Sequence, residues 1–410
     1  MGFFKSFSKS HVSTKGPRIY LDFASSTPLD QGMLGTFPPL SEYALQANPS
    51  ALHYEGQQAK KSLKDARAVV AEALFAHDDE VIFTSNATES DNLALHGTVL
   101  AAIKNNVAKN EIAIITTDSE HSAVLETVKA LSPDIATIIL ETDNGILDAR
   151  SIEIPEGMKL VIVSVMYVNN EIGVVQPVYD IAKRIRFLRK NNPDVTILLH
   201  VDATQAPLHF SLNVQKLGVD MMTLGATKLY CPKGVGLLYL RRGTALAPIM
   251  QGGGQQFGLR PGTEPVQLIH DFAHSLAFAQ NHVEQHSTSI LKLRQHVESL
   301  IKKEIPQAVI TAEHHERTPH ISHVAFKNFD SELLVLELDA RGIAVSAKSA
   351  CKNDASRGTA VKWDVNESDI VERIYGQGWG AVRMSYGRGT TTKELKKVVM
   401  ALQQILEKYR

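Results

Sequence analysis

Cysteine is almost missing. Cys231 and Cys351 are the only two in 410 residues, too few for a disulfide framework and in keeping with a reducing compartment. Neither sits in a Cys-x-x-Cys pair, so the spacing of a structural zinc site is absent and no metal is expected. No apolar run approaches the ~20 residues that a membrane helix needs. Neither sign of charge dominates: 43 Lys and Arg against 44 Asp and Glu leave a formal net charge of -1. That balance removes the bulk electrostatic reason to expect nucleic acid or lipid. The chain also lacks internal repeats and low-complexity blocks. What remains is a folded chain with a small-molecule or protein partner.

A local absence marks the N-terminus. Met1 to Arg18 holds Lys5, Lys9, Lys15 and Arg18 but no acidic residue. Met1-Gly-Phe-Phe-Lys-Ser6 fits a myristoylation pattern, and the basic composition fits a short transit peptide, yet no sustained amphipathic pattern or cleavage signal follows. The segment reads as a disordered or loosely docked arm.

The rest is ordinary globular sequence, 44% hydrophobic and 21% charged, and long enough for two domains. Val81–Ser85, Ile112–Thr116, Lys159–Ser164 and Thr196–Val201 are short apolar runs alternating with helical periods such as Leu63, Ala66, Val69, Val70 and Leu74. Such alternation predicts an α/β fold with a mostly parallel sheet covered on both faces, binding ligands beyond the carboxyl ends of its strands. Thr88, His121, Asn170, Asp202 and Lys228 all fall at such ends. From Pro265 a long helical period reads as one connecting helix. The strand around His320–Phe326, a helix over Glu332–Asp339, the strand Val382–Ser385 and a last helix from Thr392 to Tyr409 make a smaller α+β domain. The expected division is 1–18 arm, 19–280 large domain and 281–410 small domain.

Several residues suit chemistry, each with a plain structural alternative. Lys228, in Gly225-Ala-Thr-Lys228-Leu-Tyr-Cys-Pro-Lys-Gly234, forms a carbonyl adduct only if desolvated or set beside another cation; alone it reads as a surface lysine. Ser85-Asn-Ala-Thr88 opens a helix after a strand, which suits a phosphate or equally an N-cap. Asp202 ends an apolar strand and needs a cationic partner, such as a protonated pyridine nitrogen, or else caps a helix. His121 at another strand end suits ring stacking or proton exchange, though lone histidines are usually structural. The Gly252–Glu264 loop, with Thr263, suits close approach to an anion. Cys351 lies between Lys348 and Lys352, a setting that favours the thiolate. Arg383 suits a bidentate carboxylate clamp or a structural ion pair.

Taken together, Tyr20-Leu-Asp22, Asn48-Pro-Ser50, Phe83-Thr-Ser-Asn-Ala-Thr-Glu-Ser-Asp-Asn92, Glu120-His121, Asn169-Asn-Glu-Ile-Gly173, His200-Val-Asp-Ala-Thr-Gln205, Thr227-Lys228, Gly252-Gly-Gly-Gln255, Arg260-Pro-Gly-Thr263, Ser349-Ala-Cys351 and Arg383-Met-Ser-Tyr-Gly-Arg388 closely resemble the pyridoxal-phosphate-dependent cysteine desulfurases. The resemblance is to the group with the longer catalytic-cysteine loop, and it spans nearly the whole chain. It implies fold type I, the aspartate-aminotransferase-like fold, in a homodimer with sites at its interface, and the expected setting, in keeping with the sparse cysteine, is cytoplasmic. By position, Lys228 would hold pyridoxal 5'-phosphate covalently, His121 would stack on its ring and act as proton acceptor, and Asp202 and Gln205 would meet its ring nitrogen and hydroxyl. Asn170 would lie near the ring, Ala87, Thr88 and Thr227 would bind the phosphate, and Thr263 would reach it from the other subunit. Arg383 would hold the carboxylate of L-cysteine, with Asn170 beside it, and Cys351 would take the sulfur for delivery to an acceptor protein, leaving L-alanine. Thr227 stands where the family has histidine and Gly225 where it has serine, which implies fewer phosphate contacts. A selenocysteine lyase, an aminotransferase on the same scaffold and a weakly catalytic binding protein are the rival readings.

Overall fold

The structure is a computed structural model and describes residues 18–347 and 370–409. Its strands are β1 (Ile19–Tyr20), β2 (Val81–Thr84), β3 (Ile112–Thr117), β4 (Ala136–Leu140), β5 (Leu160–Met166), β6 (Thr196–Asp202), β7 (Met221–Gly225), β8 (Gly236–Leu240), β9 (Val309–Ile310), β10 (Ile321–Lys327), β11 (Ile343–Ala344) and β12 (Trp379–Ser385). Seven of them form one sheet in the order β2-β8-β7-β6-β5-β3-β4. Strand β8 runs antiparallel to both neighbours, and the other pairings in the sheet are parallel. Strands β3, β5 and β7 are buried along their whole length, the condition that makes a parallel strand read as an unbroken apolar run.

Helices cover both faces. Leu63, Ala66, Val70 and Leu74 of the Tyr54–Leu74 helix recur on one stripe, and with the Val178–Asn191 and Val266–Asn281 helices they close the core on one side. The Ala87–Lys104 and Ser122–Leu131 helices close the other. A separate core lies under the antiparallel sheet β12-β10-β9, filled by the Val283–Glu304 and Thr392–Lys408 helices, and Leu21 belongs to it. Among the described residues no helix is long and apolar enough to cross a membrane.

One expectation needs correction. The helical period after Pro265 is two helices, Val266–Asn281 and Val283–Glu304, broken at His282, whose φ of -122° leaves the helical range. The His282 ring donates through Nδ1 to the Phe278 carbonyl at 2.8 Å, satisfying an orphan carbonyl of the first helix. The break lets the first helix serve the large-sheet core and the second the smaller one.

The antiparallel strand β8 matters for the site. At Gly236 a Cβ would stand 2.4 Å from the Asn86 carbonyl carbon, so only glycine lets β8 approach the start of the Ala87–Lys104 helix. We predict that Gly236→Ala forces that backbone apart, costing about 1–3 kcal/mol of stability. It should also weaken anion binding at Ala87 and Thr88. Urea unfolding and phosphate-ester binding measure the two effects.

Candidate active site

The carboxyl ends of β3, β5, β6 and β7 converge on a cavity of about 230 Å³ lined by Ala87, Thr88, His121, Asn170, Asp202, Gln205, Thr227, Lys228 and Arg383. These side chains come from six separate stretches of sequence. Thr263 is exposed on its loop and does not line this cavity. Cys351 lies outside the described residues, as does residues 1–17 of the basic arm.

Lys228 ends a single helical turn, Ala226–Lys228, that directly follows β7. Its Nζ donates to the Ser25 carbonyl. The segment after β1 is laced to this turn: Thr27 N–H and hydroxyl both donate to the Thr227 carbonyl, at 2.9 and 3.1 Å, and the Thr27 hydroxyl accepts Tyr230 N–H at 2.8 Å. The amine is therefore carried on backbone fixed from two sides, which limits its reach to the cavity wall.

Opposite it, the Ala87–Lys104 helix begins. Asn86 is its N-cap and accepts Glu89 N–H at 2.9 Å, while Glu89 accepts Ser85 N–H and pairs with Arg260. Position in the first turn leaves Ala87 and Thr88 N–H without intrahelical partners. With the helix dipole they are placed where a helix start can hold an anion. Gly225 lies against this turn, where a Cβ would come within 3.1 Å of the Ala87 Cβ. A side chain there would crowd the helix start, so the glycine brings strand and helix closer than serine allows.

His121 is the N-cap of the Ser122–Leu131 helix, and its Nδ1 accepts Ala123 N–H at 3.1 Å. That bond assigns the proton of the neutral ring to Nε2. Accepting a further proton would give up the cap.

The floor is acidic. Asp202 Oδ1 accepts Thr204 N–H at 2.9 Å and the Thr204 hydroxyl at 2.5 Å. Behind it Asp91 and Glu120 are buried, and Asp91 Oδ1 and Glu120 Oε2 have no hydrogen-bond partner among the described residues. Burial, then the neighbouring Asp202, pushes the Asp91 carboxyl well above the usual range. Burial also lifts Glu120 to about 8, although its Oε1 accepts Met166 N–H and the Thr117 hydroxyl, both at 2.8 Å. Burial holds His200 neutral, pushed down to about 4, with Nδ1 2.9 Å from Ser164 Oγ and Nε2 3.0 Å from Thr223 Oγ1. A cavity with this floor favours a cation.

A pH prediction follows for Glu120. Its folded value lies above the ordinary 4.5, so the folded chain binds the extra proton. The associated stability is full below about pH 4.5 and is lost as pH rises through about 8. Glu120→Gln carries no such titration. Between pH 5 and pH 9 the stability difference between variant and parent should move in the variant's favour by on the order of 3 kcal/mol. Urea unfolding of the cofactor-free proteins tests this, and a difference independent of pH refutes it.

Arg383, in β12, is 2% exposed. It donates through Nη1 to the Asn170 carbonyl at 2.7 Å and through Nη2 to Asp22 at 2.8 Å and Ser25 Oγ at 2.6 Å, while Nε is buried without a partner among the described residues. Of the two readings open from sequence, the ion pair is present, and the guanidinium also lines the cavity. Ser346 exchanges backbone hydrogen bonds with Arg383, at 2.8 and 3.2 Å. The chain thus leaves toward Cys351 from beside Arg383. On the far side of that stretch, Arg373 pairs with Asp118 at the end of β3.

Asp91 lines the cavity and His200 is buried on β6 behind it, and sequence reasoning gives neither a role. Asp91 falls one helical turn after Ala87, on the same face of the helix, and that spacing was the available signal. Nothing local marks His200, because its partners Ser164 and Thr223 come from other strands.

Among the described residues no group of histidine, cysteine and carboxylate side chains is arranged to hold a metal. A family model described as Aminotransferase class-V matches residues 19–398. The cysteine desulfurase IscS of Dictyoglomus turgidum is 30% identical over 395 residues, covering 96% of this chain and 95% of that protein. A cysteine desulfurase of Nostoc sp. is 32% identical over 399 residues, covering 96% and 94%. Among solved structures, a NifS-like protein superposes with a TM-score of 0.80 at 30% identity, covering 95% of this chain and 99% of that one. A structure of SspA in complex with cysteine gives 0.70 at 28% identity, covering 90% and 98%. With the fold, the cavity and the sequence agreeing over almost its full length, the chain belongs to the aminotransferase class-V family, among relatives that are cysteine desulfurases.

Proposed function

We propose that the chain is a cysteine desulfurase: it converts L-cysteine to L-alanine, holds the sulfur as a persulfide on Cys351 and passes it to an acceptor protein. The observation that carries this reading is the meeting of Lys228 and Arg383 in one cavity floored by buried carboxyl groups. The atoms balance without an outside oxidant, since cysteine plus an enzyme thiol gives alanine plus an enzyme persulfide.

Pyridoxal 5'-phosphate fits the residues present. The acidic floor at Asp202, with the buried carboxyls of Asp91 and Glu120 behind it and Glu120 Oε2 without a hydrogen-bond partner among the described residues, suits a cationic ring nitrogen. The helix start at Ala87 and Thr88, with the Thr227 hydroxyl, suits a phosphate. When bound through Lys228, such a cofactor supplies an electron-accepting ring that stabilises negative charge on the substrate α-carbon.

The chain's own groups do the rest. Arg383 binds the substrate carboxylate, its Nη2 exchanging Asp22 and Ser25 for the incoming anion, and Asn170 stays beside it through its carbonyl. Lys228 Nζ moves the α-proton from the cavity wall. His121 presents an N–H through Nε2, which suits proton donation, and accepts a proton only at the cost of its helix cap. Cys351 attacks sulfur. It follows Ser346 by five residues, a tether of at most about 18 Å of extended chain, and Ser346 is bonded to Arg383.

The Thr263 contact from a second subunit, the homodimer it requires and the cytoplasmic setting belong to the same proposal. Purified protein given cysteine should release alanine and acquire one protein-bound persulfide. Alanine formation without persulfide, or neither product, refutes the reading.

A further inference from the structure

Beside Gln205 stands a column of imidazoles that the proposed reaction does not use. His320 and His209 are stacked, with ring centroids 4.5 Å apart and planes 13° from parallel, and His286 lies 5.2 Å beyond His209. His320 immediately precedes β10, is buried, and is tied by its carbonyl to Tyr386 N–H at 2.8 Å, three residues past Arg383. Its Nδ1 is 2.8 Å from Thr318 Oγ1 and its Nε2 3.2 Å from Gln205 Oε1.

These contacts assign every proton. Gln205 Nε2 donates to the Ala24 carbonyl at 2.8 Å, and a reversed amide would set two oxygens against each other. Gln205 Oε1 is therefore the atom facing His320, and as an oxygen it only accepts, so His320 carries its hydrogen on Nε2 and Thr318 donates to Nδ1. Burial first, then His286, Arg383, Lys228 and Arg294, all of one sign, push the ring down to about 3, so it stays a neutral donor. With Oε1 and one Nε2 hydrogen of Gln205 both occupied, the second Nε2 hydrogen is left for the cavity that Gln205 lines.

We propose that His320 is a positioning residue: it locks the Gln205 amide with N–H toward the cavity, so that this point of the site selects an accepting, anionic oxygen on the bound ring. The inference rests on the reading of the cavity as a pyridoxal 5'-phosphate site. Hydrogen bonds in series polarise one another, so the His320 bond also strengthens the Gln205 donor.

The test is the visible absorbance of the cofactor on Lys228, titrated with pH. A weaker donor leaves the ring oxygen less stabilised once the adjacent nitrogen has lost its proton, so in His320→Leu the midpoint should rise by about 1 pH unit. His320→Asn, which keeps an N–H donor, should recover at least half of that. In a Gln205→Ala background, His320→Leu should add nothing, since coupling through one partner is non-additive. An unchanged midpoint, or an equal shift with and without Gln205, overturns the proposal. If the parent with added pyridoxal 5'-phosphate gives no visible band and borohydride fixes nothing to Lys228, the cofactor reading fails instead. Histidine-ring ¹⁵N spectra of the unmodified protein then decide the lock, as they do if His320→Leu does not fold: an Nε2–H tautomer for His320 supports it and an Nδ1–H tautomer overturns it.

Discussion

Lys228→Ala should lower alanine release from cysteine by at least ~10³-fold, the scale of removing a covalent catalytic group. The side chain is asked to do two things, to hold the cofactor and to move the α-proton, and among the described residues that line the cavity no other lysine can replace it. The next lysine along this stretch, Lys233, is exposed and sits past the turn that Thr27 and Asp30 pin through Thr227 and Tyr230. The phosphate contacts proposed at Ala87 and Thr88 do not depend on this side chain, so the variant should still bind pyridoxal 5'-phosphate reversibly. Lys228→Arg should fare no better, because a guanidinium stays protonated at working pH. Alanine quantification with borohydride trapping and peptide mass analysis measures both effects. Retention of more than a tenth of parental turnover would remove Lys228 from the mechanism.

The second large effect is expected at Cys351. Cys351→Ala should abolish the persulfide and cut alanine formation at least ~10²-fold, while the spectral change on adding cysteine persists because Lys228 and Arg383 are intact. An aminotransferase on this scaffold would not need the thiol, and a binding protein would show no turnover to lose. Cys231 supplies the internal control. Its thiol is buried, donates to the Ala226 carbonyl, and is pushed up to about 12, chiefly by burial. A thiol in that state is neither nucleophile nor target for alkylation, so Cys231→Ala should leave persulfide formation in place.

Strand ends were the legible part of the sequence. The runs that became β3, β5 and β6 stand out because strands buried on both faces favour apolar side chains and admit a polar one only where it finds a partner, as Ser164 and His200 do, and polar residues soon after such a run lie at the strand's carboxyl end. This rule leads to His121, Asn170, Asp202 and Lys228, and all four line one cavity. The reversal of β8 was not legible, since a five-residue apolar run has no direction until its partners are known. Arg383 had two readings because its partners Asp22 and Ser25 lie at the other end of the chain. His320 looked like the start of a strand. Only the approach of Gln205 and the stacking of His209 give it another part.

The segment after β1 joins Arg383 through Asp22, a contact between residues 361 positions apart. It also binds the Lys228 turn through Thr27. During synthesis Asp22 therefore emerges long before its partner. At about 5–20 residues per second, Asp22 waits roughly 20–70 s for Arg383 to be made. A nascent chain stalled before β12 has its lysine but lacks the arginine proposed to hold the substrate carboxylate, so turnover can begin only after β12 has been made.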